Sequence, residues 1–256
     1  MNEKISVTIP VISNIPYTKI CMDSLLKNSK LVDEVILIDN NPEGDTARWI
    51  IDNYGGKISL TVIYTGEKLG VSISWDMGIK AARNNIVVVS NNDIDFCDAE
   101  WDVKLLEEWS KYPNAACFCP WPVHEITQQM YPENPPLDGL AGCCFLIKKD
   151  MLQKIENFKN MGLYIDTGFK RAYWEDVDLL TQIRRAGMEC WTTQKVKVVH
   201  FENKTAGPML PSGKTMDNPY WINLEYFNNK YGVHIWDYFA VFMSNVLKEN
   251  TNERLI

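Results

Sequence analysis

The chain has 256 residues, with 26 Lys plus Arg against 33 Asp plus Glu and a formal net charge of −7. Hydrophobic residues make up 46% and charged residues 23%, which excludes disorder, collagen and coiled coil. The acidic balance lacks the Lys/Arg footprint of a duplex nucleic-acid binder, and no stretch reaches the ~18 uninterrupted apolar residues of a membrane span.

The first half alternates strand and helix signals. Ser6–Ile12 reads as a buried strand that Pro10 ends or places beside a ligand. Tyr17–Lys27 has helical apolar spacing, and Glu34–Asp39 is a second strand that stops at Asn40-Asn41-Pro42. Thr46–Tyr54 is a helix closed by Gly55-Gly56, Leu60–Tyr64 a third strand and Val71–Arg83 a third helix. Ile86–Ser90 is apolar throughout, as a parallel strand buried on both faces requires. Strands alternating with helices of ~10 residues imply right-handed βαβ units, with ligands beyond the carboxyl ends of the strands.

The second half is less regular. Pro113–Pro136 is rich in Pro and aromatics and reads mostly as a structured loop. Leu140–Ile147 is strand-like, Glu175–Ala186 a helix ended by Gly187, and Val196–Val199 a strand running into His200. Ala206–Pro219 carries Gly and Pro and reads as a mobile lid, and Asn223–Asn229 and Trp236–Leu247 as C-terminal helices. The aromatic Trp236–Leu247 helix is expected to pack on protein rather than on a membrane, because its polar face is not basic. No internal repeat or linker is visible, and no apolar h-region follows Met1, so a secretory leader is not expected.

Seven cysteines include a C-x-C at Cys117 and Cys119 and the adjacent pair Cys143-Cys144. Neither has a second paired cluster, so spacing argues against a structural zinc site and for reduced core thiols.

Four groups carry chemistry. Asn91-Asn92-Asp93-Ile94-Asp95 follows the fourth strand, and on an extended chain Asp93 and Asp95 would point to one side. Two close carboxylates need a cation between them, and a divalent metal on a diphosphate is one. Trp174-Glu175-Asp176-Val177-Asp178 opens a helix, where acids serve as caps or, beside Trp174, as a partly desolvated base. His200 ends an apolar strand and suits a metal already held by carboxylates. Glu67-Lys68-Leu69-Gly70 puts a glycine at a helix start, where backbone can approach phosphate or sugar. No G-x-G-x-x-G or P-loop is present.

These groups, in this order, resemble the family 2 glycosyltransferases, inverting enzymes of the GT-A fold. The resemblance rests on Val7–Ile12, Val35–Asn41, Leu69-Gly70 with Asp76–Ala82, Ser90–Asp95, Gly142–Ile147, Glu175–Leu179 with Arg184–Gly187, and Val198–His200. It covers about residues 5–205, and Tyr226–Gly232 looks like the C-terminal part of rhamnosyltransferase-like members. It implies an α/β fold with a Rossmann-like, mostly parallel central sheet flanked by helices, and C-terminal helices. The catalytic domain would span 1–215, with a nucleotide-sugar half at about 1–97 and an acceptor half at about 98–215. A helical extension over 216–256 would pack on it.

The resemblance assigns Asp39 to the base or ribose, Pro10 and Val11 to the nucleotide pocket, Asp93 and Asp95 to the metal, and His200 to the metal or diphosphate. Asp176 of the Glu175-Asp176 pair falls on the catalytic base. Asn92, Lys68, Gly70 and Asp76 are counted with the donor site, although the family usually has Asn at the last and at Lys68. The implied partners are a nucleoside-diphosphate-sugar donor and a glycan, lipid-linked or other hydroxyl acceptor. A divalent metal, Mn2+ or Mg2+, is the implied cofactor, and a homo-oligomer through the C-terminal helices is allowed. The setting would be cytoplasmic, with peripheral membrane contact as the alternative. A nucleotidyltransferase is the competing enzyme class, but its Gly/Arg loop after the first strand is absent from Ser13–Tyr17. A non-catalytic module that keeps a nucleotide-sugar pocket is the other.

Overall fold

The computed structural model describes residues 3–124, 137–201 and 218–232. Most of the loop expected over 206–219, the helix expected over 236–247 and the end of the Pro/aromatic stretch, 125–136, lie outside the described residues.

The chain opens with β1 (Ile5–Val11), α1 (Ile15–Asn28), β2 (Val32–Asp39), α2 (Asp45–Tyr54), β3 (Ser59–Tyr64), α3 (Val71–Ala81) and β4 (Ile86–Ser90). Then come β5 (Ile94–Asp95), α4 (Trp101–Trp109), β6 (Ala115–His124), β7 (Leu137–Asp138), β8 (Cys144–Lys148), α5 (Lys149–Leu152) and α6 (Glu156–Met161). It continues through α7 (Glu175–Arg185), β9 (Glu189–His200) and α8 (Pro219–Tyr231). Among the described residues nine strands form one sheet in the order β3-β2-β1-β4-β8-β6-β9-β5, with β7 paired to β9. The first four strands in that order are parallel. β8 then runs antiparallel to both β4 and β6, while β6 and β9 are parallel.

Period-two alternation divides the sheet into two apolar faces. Val35, Leu37 and Val88 pack on one side with α1, α2 and α4, while Ile36, Ile38 and Val89 pack on the other with α3 and α7. β1 is asymmetric. Ile5, Val7, Ile9 and Val11 fill the first face, but its second face carries small Ser6 and Thr8. There α3 approaches so closely that a Cβ at Gly78 would overlap Thr8 Oγ1. Beyond Thr8, β1 pairs only with β2, so Pro10, which has no N–H, costs the sheet no bond to β4.

The Pro-rich stretch expected to be mostly loop contains β6, whose pairing with β8 and β9 overrides its prolines. Pro120 and Trp121 bracket a register shift that absorbs the irregularity. α4, absent from the expected elements, buries Trp101, Leu105, Leu106 and Trp109 at helical spacing and is also fixed from outside. Asp102, wholly buried, accepts the N–H groups of Lys30, Leu31 and Val32. Among the described residues no helix is long and apolar enough to cross a membrane.

Gly78→Ala should destabilise the chain by about 1–3 kcal/mol in denaturant melts, the usual cost of overpacking, although Ala is the better helix former. A neutral result would mean that α3 can move off β1.

Candidate active site

A cleft of about 870 Å³ opens where β1, β2 and β4 end. Pro10 and Val11 line it from β1, Asn40 from beyond β2, and Asn91, Asn92 and Asp93 from beyond β4. Its other walls are Ala141-Gly142-Cys143, the segment Arg171–Val177 and His200.

Asp93 and His200 meet because their backbones do. Ile94 pairs with His200 across β5 and β9, and Phe201 N–H donates to the Asp93 carbonyl at 3.0 Å. His200 Nε2 then lies 3.3 Å from Asp93 Oδ1, with Asp93 only 4% exposed. Burial alone would lower the imidazole pKa, but hydrogen bonds to Asp93 and Cys143 outweigh it and push it up to about 10. A bound cation would have to displace the His200 proton; one carboxylate oxygen and one imidazole nitrogen then form a mixed donor set that fits Mn2+ at least as well as Mg2+.

Asp95 does not join this pair. Asn92 and Asp93 form a turn and the strand begins only at Ile94, so the expected alternation fails. Asp95 pairs with Val199 and does not line the cleft. The triplet that faces the cleft is Asn91-Asn92-Asp93, of which only Asp93 is acidic. Asn92 also anchors this turn by donating to Thr18 Oγ1 at 3.0 Å.

The three acids of α7 have three different surroundings. Asp178 is buried against Lys230 Nζ at 2.7 Å and Tyr231 Oη at 2.6 Å, which docks α8 on α7. Asp176 lines the cleft, and its Oδ1 accepts Val177 N–H at 2.8 Å. Glu175 also lines the cleft, is 6% exposed, and its Oε2 is buried with no hydrogen-bond partner. Burial raises both carboxyl pKa values, and the Asp176 charge raises that of Glu175 further. The residue before the helix, Trp174, offers no side-chain cap. Asp176 therefore supplies part of the missing cap, while the unpartnered Oε2 of Glu175 and the Lys230 pairing of Asp178 are not capping contacts.

Two glycines and one asparagine shape the wall. A Cβ on Gly142 would overlap the Asp176 carboxylate and stand 3.0 Å from its Cβ. Gly70, at φ +93°, admits the Arg171 backbone, whose carbonyl takes the Val71 N–H at 2.6 Å. The helix start expected to meet phosphate is thus partly used by protein. Arg171, Tyr173 and Trp174 all have positive φ, a costly run for residues with side chains. Asn223 of α8 holds it: its Oδ1 accepts Lys170 N–H at 2.7 Å, and its Nδ2 lies within 2.9 Å of the carbonyls of Lys170, Ala172 and Tyr173.

Pro10, Val11, Lys68, Gly70, Asn92, Asp93, Glu175, Asp176 and His200 therefore come together as expected. Asp39 and Asp76 do not line the cleft. Asp39 is wholly buried, and its two oxygens accept Asn41 N–H and Ala47 N–H, fixing the start of α2. Asp76 accepts Tyr164 N–H at 2.8 Å and pairs with Lys80 at 2.7 Å. Arg171, which joins Lys68 as a second cation on the cleft, carries no motif. Its only sequence signal is its place four residues before Glu175.

Residues 6–178 match the profile of glycosyl transferase family 2. A comparison with curated proteins gives no match. Among solved structures, GalNAc-T7 with UDP, GalNAc and Mn2+ superposes with TM-score 0.62 at 17% identity, over 80% of this chain and 45% of that one. TarS 1–349 of S. aureus with UDP-GlcNAc gives 0.62 at 12% identity, over 83% and 62%. The mannosyltransferase PcManGT from Pyrobaculum calidifontis with GDP-Man and Mn2+ gives 0.59 at 14%, over 79% and 58%. The chain thus spans about half to three-fifths of these structures, and the likeness shows a shared GT-A fold.

Gly142→Ala should displace the Asp176 carboxylate and lower turnover about 10²-fold, the cost of a misplaced reacting group. The melting midpoint should fall as well, by a few degrees (~2–4 °C per kcal/mol), because the added Cβ also crowds Asp176 Cβ at 3.0 Å. Unchanged turnover would mean that the Asp176 position is immaterial.

Proposed function

The chain belongs to glycosyl transferase family 2, and from that membership we propose an inverting transfer of a sugar from a nucleoside-diphosphate-sugar to an acceptor hydroxyl. The observation that carries the reading is the meeting of Asp93–His200 and Glu175–Asp176 in one cleft beyond parallel strands. The nucleotide lies against Pro10, Val11 and Asn40, in the half formed by about residues 1–97. The acceptor approaches from the half formed by about residues 98–215.

Asp93 and His200 are the residues that would hold a divalent ion, Mn2+ or Mg2+. When bound, it would supply Lewis-acid stabilisation of the departing diphosphate. The UDP, GDP-Man, UDP-GlcNAc and Mn2+ in the similar structures support this pairing of donor and metal. Lys68 and Arg171 offset the charge that builds on the leaving phosphate.

Asp176 takes the proton of the acceptor hydroxyl as its oxygen attacks the anomeric carbon. The carbon–oxygen bond to the diphosphate breaks on the opposite face, so the configuration inverts. Burial raises the proton affinity of both acids, and the charge of Asp176 raises that of Glu175 further. The Tyr226–Gly232 resemblance supports a hexose or deoxyhexose donor, although Tyr226, Lys230 and Tyr231 themselves bind Asp166 and Asp178. We place the reaction in the cytoplasm, with peripheral membrane contact only if the acceptor is lipid-linked.

A thermal-shift panel of nucleotide-sugars with Mn2+ or Mg2+ tests the donor class, since a bound ligand raises the midpoint by mass action. The matching donor should stabilise the protein with metal and lose most of that effect in chelator or in Asp93→Ala. Stabilisation by no nucleotide-sugar would sink the reading.

Asp176→Asn should cut turnover by ~10²–10⁴ and leave donor stabilisation intact. In the wild type the burial-raised pKa of Asp176 sets the acid limb. A protonated base accepts nothing, so the rate should fall about tenfold per pH unit below that pKa. Donor binding without turnover at any pH would instead indicate a non-catalytic nucleotide-sugar module.

A further inference from the structure

β6 and β9 run parallel, with Cys117 in register with Cys190. Cys117 and Cys119 stand two apart on β6, so both side chains leave the face that meets Cys190 in the core layer under α3 and α7. The three Sγ atoms lie within 4.8 Å of one another, those of Cys117 and Cys119 being 3.9 Å apart, and all three residues are fully buried. No other set of three potential ligand groups among the described residues converges in this way. The C-x-C spacing looked isolated because its third member lies some seventy residues on and is supplied by strand pairing.

We propose that Cys117, Cys119 and Cys190 form a second metal site, a three-thiolate clip for one soft d10 cation such as Zn2+ or Cu+. Bonds of ~2.3 Å place two thiolates on one tetrahedral or trigonal ion about 3.8–4.0 Å apart, whereas a disulfide needs ~2.05 Å. The observed Sγ separation of 3.9 Å, now a thiol–thiol hydrogen bond, already has the spacing of the former. One backbone N–H and one carbonyl meet the sulfurs. Ala141 N–H donates to Cys119 Sγ at 3.4 Å, and the Cys190 thiol donates to the Gly139 carbonyl at 3.3 Å. Thr192 Oγ1 donates to the same carbonyl at 3.0 Å. Binding releases a proton from each thiol still protonated.

Donor chemistry separates this site from the cleft. Three sulfurs select soft ions, whereas Asp93 and His200 suit Mn2+ or Mg2+. The clip joins β6 and β9 to the segment 139–141, which adjoins Gly142 and so backs the wall against Asp176.

The test is titration of the reduced, metal-stripped full chain with Cd2+, whose bonds to thiolate give ultraviolet charge-transfer absorbance. The band should saturate at one ion per chain, with a rise in melting midpoint. Cys119→Ser and Cys190→Ser should each weaken Cd2+ binding at least ~10-fold, while Cys143→Ser, which alters the thiol beside His200, should keep the full band. A band lost in Cys143→Ser and kept in Cys119→Ser would overturn the assignment. So would a wild-type chain that gives no band at stoichiometric Cd2+, a result that needs no variant to fold.

Discussion

Parallel pairing of β1 with β2 on one side and β4 on the other is the constraint from which the site follows. Parallel strands end at the same edge, so the residues just past each of them are brought together without any contact between their side chains. Pro10, Asn40 and Asn91–Asp93 reach one cleft for that reason. The antiparallel strand β8 then places Gly142 and Cys143 at the same end, because its entry lies opposite the exit of β4: Ser90 pairs with Cys144. β9 delivers His200 next to Ile94 in the same way. Backbone register thus sets the separation of groups that lie far apart in sequence.

The remaining wall has no such regular support and is held by side chains. The left-handed residues at 171, 173 and 174 persist because Asn223 bonds four backbone groups of that segment, its two amide N–H shared among three carbonyls. Asn223 sits on α8, which is itself locked by Lys230 between Asp166 and Asp178. One cation there faces two carboxylates, and the neutral Tyr226 and Tyr231 hydroxyls donate hydrogen bonds to the same carboxylates, which lowers the cost of burying them. A helix distant in sequence from the cleft therefore determines its shape.

The first half of the fold was legible because propensity and pattern agree there. β4 matches its expected bounds, and β1, β2 and β3 lie within about two residues of theirs. β6 was not legible because Pro120 and Pro122 signal loop, while the partners that make it a strand come from β8 and β9. The donor and base groups were legible as motifs, but the division of labour among them was not. Asp39, Asp76, Asp95 and Asp178 differ from Asp93 and Asp176 only in what surrounds them, and that is a tertiary property. Asn223, expected to open its helix, lies inside α8 and resembles any other helical asparagine until the loop it grips is known.

Gly142 and Asp176 occupy one volume between them, since the space a side chain at 142 would need is already filled by the carboxylate. The two positions therefore behave as a single heritable character written in two places. A larger residue at 142 becomes accessible only along a path that first shortens or removes the acid, so gradual variation cannot reshape this corner while the acid stays in place. Diversity in what the cleft accepts must then accumulate elsewhere on its rim, where side chains still have room to differ.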